Sequence, residues 1–131
     1  MRTAEAEWAR HVYRELNTRA DGLANQAMDS NASDVWCLRA PFSRPSAMRG
    51  WFDGGRRDEL HSSCGWCLQA AWTTGLEDDD WREIATGSVT LPPGTTVVDA
   101  ELHGLEQVAL AMFSVATYGR ISFQQDRVCF M

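Results

Sequence analysis

Four acidic residues stand where an α/β scaffold places chemistry. Asp53 closes the run "MRGWFDGG" immediately before two glycines, and Glu101 falls in the opening turn or so of a long amphipathic stretch. Asp126 falls near the end of "GRISFQQDRV", and Asp21 opens "DGLANQAMD". Strand ends and helix starts favour function because a rigid scaffold holds their polar side chains at an exposed rim. If the runs carrying Asp53 and Asp126 are neighbouring strands, those two carboxylates lie side by side. The two helix starts then bring Glu101 and Asp21 alongside. Carboxylates gathered in this way repel one another unless divalent cations share them, and hard oxygen ligands select Mg²⁺ or Mn²⁺. Two such ions about 4 Å apart form a known device for phosphodiester hydrolysis: one activates water, the other stabilises the leaving oxygen. Each acid also has a simpler use. Asp53 suits a turn, Glu101 and Asp21 complement a helix dipole, and Asp126 suits a solvated surface. Only the constellation speaks for chemistry.

The elements that must position these acids are legible from periodicity. Leu16, Ala20, Leu23, Ala24, Ala27 and Met28 recur at helical spacing, with Asn17 or Thr18 as a cap, so a helix is expected up to about residue 29. The preceding residues 5–13 suit either a strand or a short helix. The Ser-, Asn-, Pro- and Arg-rich stretch that follows reads as a linker, with "VWCL" able to dock on the core. Three strands are expected at 48–55, 63–74 and 81–91, the last two joined across "GLEDDD", in an antiparallel meander. "PPG" ends the third. A long helix is expected from about Thr96 to Thr117, with Thr96 and Asp99 as its capping box. Its apolar stripe is Leu102, Leu105, Ala109, Met112, Phe113 and Ala116. A fourth strand is expected in "GRISFQQDRVCFM".

Composition bounds what such a chain does. The 131 residues, 44% of them hydrophobic, are enough for one buried core, and the charge is −6. The cations are 12 arginines and no lysine. An acidic chain does not hold nucleic acid by general basicity, so nucleic-acid chemistry here must be local, with cations or a few arginines offsetting the acids. No apolar run approaches bilayer length, and the start "MRTAEAEWARHVYRE" has no apolar core of a secretion signal. The expectation is an intracellular protein, cytoplasmic or nuclear, with no membrane partner.

Cys37, Cys64, Cys67 and Cys129 are then expected as thiols. "CGWC" at 64–67 invites a thioredoxin-like redox or a zinc reading, which needs a helix opening at the first cysteine. The surrounding "SCGWCLQAAWTT" reads as a strand, where positions i and i+3 point to opposite faces. Buried structural cysteines are the better expectation.

"FDGGRR…CGWCLQAAW", "ATGSVTLPPGTTVVDAELHGLEQVALAM" and "ISFQQDRV" together resemble the first half of a type 1 ribonuclease H domain. In that family an Asp-Gly turn ends strand 1, an Ala-Glu-Leu pattern opens the first helix, and an Asp ends strand 4. "HVYRELNTRADGLANQAMD" resembles the family's last strand end, histidine loop and final helix, in the form found in retroelements and plants. The resemblance covers about two thirds of the chain. It implies a two-metal endonuclease that cuts the RNA strand of RNA–DNA hybrids, holding the hybrid by shape through its minor groove and 2′-hydroxyls. Asp53, Glu101, Asp126 and Asp21 match the metal-binding acids, His11 matches the mobile histidine, and Gly54, Arg56 and Asn17 match substrate-contacting positions. Two Mg²⁺ or Mn²⁺ ions are the implied cofactors.

The family's tail precedes its head, and the crossover helix after strand 4 is missing. A circular permutation and a tail-plus-head segment of a longer chain both account for that order. Residues 1–30 then supply the last strand and helix, 31–47 a linker, and 48–131 strands 1–3, the first helix and strand 4. The expected fold is α/β, a ribonuclease H-like mixed sheet in order 3-2-1-4-5, with strand 5 from the N-terminus. Its exposed crossover face favours self-association or a neighbouring domain copy. The alternative function is a catalytically dead remnant or structural module that keeps the fold.

Overall fold

The structure is a computed structural model describing the backbone of residues 3–38, 43–72 and 80–118, and the side chains of these except 3–16 and 118. It is a mixed α/β arrangement: helix α1 (Thr3–Ser30), strands β1 (Asp34–Cys37), β2 (Ala47–Arg56), β3 (Ser62–Ala71) and β4 (Arg82–Leu91), and helix α2 (Val97–Tyr118). The strands form one sheet in the order β1-β4-β3-β2, every pair antiparallel. No described helix is long and apolar enough to cross a membrane.

The sheet lies between the two helices, and alternation along β3 shows how. Ser63, Gly65 and Cys67 face α1, whereas Cys64, Trp66 and Leu68 face α2. With both faces covered, nearly all of β3 is buried, so it reads as a continuous run of apolar and small residues rather than an alternating one. The α2 side holds the larger core, in which Trp66, Leu68, Ile84 and Ala85 meet Val108, Ala111 and Val115. Trp66 lies across Gly87, its register partner on β4; a β-carbon on Gly87 would come within 1.9 Å of the Trp66 indole nitrogen. The α1 side is thinner and more polar. The buried Ser63 hydroxyl donates to the Ala24 carbonyl at 2.6 Å, and the Ser88 hydroxyl donates to the Leu23 carbonyl. These bonds fasten the helix to β3 and β4.

The meander of residues 47–91 is as expected, since β4-β3-β2 reproduces the 3-2-1 part of the anticipated order. Five other expectations are corrected. Residues 5–13 are helical, so no strand 5 comes from the N-terminus, and Asn17 and Thr18 lie inside α1 rather than capping it. The stretch contains neither Gly nor Pro before Gly22, and extending an existing helix gains one hydrogen bond per residue fixed. The helix ends instead at Asn31, which takes the left-handed conformation (φ 51°), while the Ala32 N–H reaches the Ala27 carbonyl at 3.3 Å.

The expected linker contains a strand. Val35 and Trp36 pair with Gly87 and Thr86 of β4, and the Ser33 hydroxyl accepts from the Thr90 N–H at 2.9 Å. Four residues are too short to show a period in sequence. The described sheet is consequently antiparallel throughout, not mixed. The fourth strand expected in "GRISFQQDRVCFM", with all of the turn "GLEDDD" but Asp80, lies outside the described residues.

Helix α2 starts as expected, the Thr96 hydroxyl accepting from the Asp99 N–H at 3.1 Å, but it buries a different face. Ala100, Gly104, Val108, Ala111 and Val115 lie against the sheet, whereas Leu102, Leu105 and Phe113 are 57%, 43% and 60% exposed. Both faces are apolar. The one with small residues wins because β2 presents Gly50 and Gly54, which allow close approach: a β-carbon on Gly50 would strike the Val108 side chain at 2.5 Å.

Candidate active site at the edge of the sheet

Two of the four expected acids, Asp53 and Asp21, meet at the β2 edge of the sheet, Glu101 approaches from the other face, and two glycines bring the helices that carry Asp21 and Glu101 there. Asp53 sits near the end of β2 on the face toward α1, opposite Gly65 of β3 in register. A β-carbon on Gly65 would lie 2.1 Å from the Ala20 carbonyl oxygen and 2.5 Å from the Ala24 nitrogen, so the backbone of α1 rests directly on this glycine. The turn resting there carries Asp21. On the other face, a β-carbon on Gly54 would lie 2.5 Å from the Glu101 nitrogen, so the first turn of α2 rests on Gly54. Each acid-bearing helix turn is therefore seated on a glycine next to Asp53, in sequence or across the ladder.

The Asp53 and Asp21 carboxyls are close enough to share a hydrogen bond, and Glu101 is near enough to act on Asp53 through its charge. Partial burial, then that hydrogen bond and the charges of Asp21 and Glu101, push the Asp53 carboxyl up to about 6. The Gly54 N–H, donating to Asp53 Oδ1 at 3.0 Å, works in the opposite direction. Asp21 is held from its other side by Asn25, whose amide donates to Asp21 Oδ2 at 3.3 Å. Arg57 then ties this part of α1 to the β2–β3 turn, bonding the Asn25 side-chain oxygen at 3.4 Å and pairing with Asp29 at 2.7 Å. A cleft of about 560 Å³ opens along the edge, lined by Asn17, Gly50, Trp51, Phe52, Asp53 and Glu101.

The remaining expected site residues are placed differently. Asn17 lines the cleft one helical turn before Asp21, inside α1 and not in a histidine loop. His11 belongs to the same helix, its side chain outside the described residues, as is Asp126. Gly54 seats α2 and so positions Glu101. Arg56 points its guanidinium at the Asp58 carbonyl, 3.2 Å away in the turn. Gly65, Asn25 and Trp51 were missed from sequence. Gly65 alone left a signal there, a glycine inside an aromatic strand, which marks a close backbone approach.

The donor chemistry at the edge fits a hard divalent cation: oxygen ligands only, mutually repelling, and half-exposed. Among the described residues no group of three such side chains yet converges as a metal cage. Asp53, Asp21 and Glu101 would hold the ion, which when bound supplies activation of water and charge neutralisation at a phosphodiester. Without it, the Asp53 carboxyl keeps its proton up to a pH of about 6.

The "CGWC" cysteines lie on opposite faces of β3, Cys64 beside Leu91 and Ala100, Cys67 beside Leu23. Burial pushes both thiols up to about 12, so the thiolate is scarce at any ordinary pH. Alkylation of the native protein with iodoacetamide at pH 8, read by peptide mass spectrometry, is expected to leave both unmodified, while the same treatment in denaturant modifies both. Native labelling comparable to the denatured control would contradict this burial.

No protein-family model, curated protein or solved structure matches the chain.

Proposed function

We propose that the chain is a metal-dependent endonuclease of the ribonuclease H type, which hydrolyses the RNA strand of RNA–DNA hybrids. The observation that carries this reading is the pairing of Asp53 with Asp21, with Glu101 of the other helix near enough to act on Asp53 through its charge. Carboxylates rarely gather without cause, because each raises the free energy of ionising the next. The meander β2-β3-β4, with α2 on one face and α1 on the other, supports the resemblance. So does the β2 edge, where the family's strand 4 would pair and bring Asp126 to the cleft. The extension of the sheet by β1 beyond β4 departs from the family pattern.

In this reading Asp53, Asp21 and Glu101 hold one or two Mg²⁺ or Mn²⁺ ions. Asn17 and Trp51, at the cleft wall, approach the substrate backbone and sugars. With a charge of −6 the hybrid is held locally and weakly, through few phosphate contacts. Incubation with a labelled RNA–DNA hybrid and Mn²⁺ or Mg²⁺ is expected to give metal-dependent cuts in the RNA strand, abolished by Asp53→Asn. A folded chain that binds Mn²⁺ without cutting, or does neither, would remove the proposal.

The second reading is a non-catalytic module that keeps the fold. It is favoured by the hydrogen bond between the Asp53 and Asp21 side chains, a contact that the fold makes without a cation. Calorimetric titration with Mn²⁺ at pH 8 separates the two: binding that Asp53→Asn abolishes speaks for the first, no binding for the second.

A further inference from the structure

The outward face of α2 has an order that the fold uses only through Met112, which packs partly against the core, and that the candidate site touches only through Glu101 at its flank. Val98, Leu102, Leu105, Ala109, Met112 and Ala116 follow one another at intervals of four, three, four, three and four, the alternation of a coiled-coil seam. Val98, Leu102 and Leu105 are 65%, 57% and 43% exposed, Ala109 and Ala116 are exposed too, and Phe113 beside the seam is 60% exposed. The side of α2 against the sheet is a different set: Ala100, Gly104, Val108, Ala111 and Val115. A surface helix needs one apolar stripe, and α2 has two.

Charge specifies what covers the second. With Leu102 and Ala109 as a positions and Leu105 and Met112 as d positions, Asp99 and Glu106 fall at e and Glu101 at g. Those are the flanking positions whose charges choose a partner. All three are acidic, and α2 has no lysine or arginine. Parallel self-pairing would set Glu101 against Glu106, and antiparallel self-pairing centred on the seam would set Glu106 against its own copy. We infer that the outer face of α2 docks an amphipathic helix of a partner protein that carries lysine or arginine beside its apolar seam. The inference is independent of the nuclease reading, since the seam needs no metal and no nucleic acid.

The probe is a synthetic three-heptad helical peptide with leucine at a and d and lysine at e and g, beside an otherwise identical peptide with glutamate at e and g. Titration of each, fluorescently labelled, into the purified chain is expected to show saturable binding of the lysine peptide alone. Leu105→Asp, an exposed position whose variant is checked for native circular dichroism, is expected to weaken binding at least about tenfold. This change makes the protein more acidic, so unspecific attraction would strengthen where seam docking weakens. Glu106→Lys is expected to shift preference toward the glutamate peptide. Equal binding of both peptides, or unchanged or tighter binding by Leu105→Asp, would overturn the inference. A wild-type dimer in light scattering that Leu105→Asp dissolves would also overturn it, assigning the seam to a second copy of this chain.

Discussion

Gly65→Ala is expected to destabilise the protein by about 3 kcal/mol, read as a lower urea midpoint with an unchanged slope. The added methyl would stand 2.1 Å from the Ala20 carbonyl oxygen, 2.5 Å from the Ala24 nitrogen and 2.8 Å from the Leu23 β-carbon. None of these is the tip of a flexible side chain. Relief requires α1 to lift from the sheet as a body, at the expense of the two serine hydroxyl bonds to its carbonyls and of the buried contact between Leu23 and Cys67. Lifting α1 also carries Asp21 away from Asp53. The variant should therefore lose Mn²⁺ affinity more than its residual folded fraction accounts for. Ser63→Ala removes one hydroxyl bond while leaving the seat of the helix intact, and provides the comparison. Destabilisation by Gly65→Ala no greater than by Ser63→Ala would show that α1 does not bear on this glycine.

The glycine's role also shows what the sequence made legible. The three long strands were readable because each is a run of about ten residues bounded by turn residues, and α1 because its stripe at 20–28 has one apolar side only. The two errors of face and extent have a common origin, since local pattern does not report distance. In α2 the strongest apolar periodicity lies on the outward face. The face that wins is made of Ala100, Gly104 and Ala111, residues whose merit is being small opposite Gly50 and Gly54. Strand β1 was hidden because four residues are too few to show alternation, although Cys37 enters the core and Val35 packs against it. In the site, Asp53, Glu101 and Asp21 were readable from residue type and their places at element ends. The glycines that gather them were not, because a cross-strand partner such as Asp53–Gly65 exists only once the register is set. "CGWC" was the reverse case: a conspicuous motif whose second residue, the glycine, matters to the site and whose cysteines do not.

Asp53→Asn is expected to stabilise the metal-free protein at pH 8 and to leave it little changed at pH 4. The sign follows from the direction of the shift. An acid whose folded value lies at about 6, above its ordinary 3.8, resists ionisation in the folded state. Below 3.8 the carboxyl is protonated in both states and nothing is lost. As the pH rises from 3.8 to about 6 the unfolded chain ionises first, and stability falls. Above about 6 the loss is complete and constant. The asparagine removes the titration while its amide still donates to Asp21. Because the carboxyl is only partly buried, screening reduces the gain at pH 8 to on the order of 1 kcal/mol, a few degrees in melting temperature. Thermal melts in EDTA across pH 4 to 8 measure it. Saturating Mn²⁺ at pH 8 should invert the order, since a cation neutralises the repulsion that the asparagine only removes, and binding to the native state stabilises it. If the asparagine variant is the more stable with metal as well as without it, the acids are not a cation site, and the edge of the sheet belongs to the non-catalytic reading.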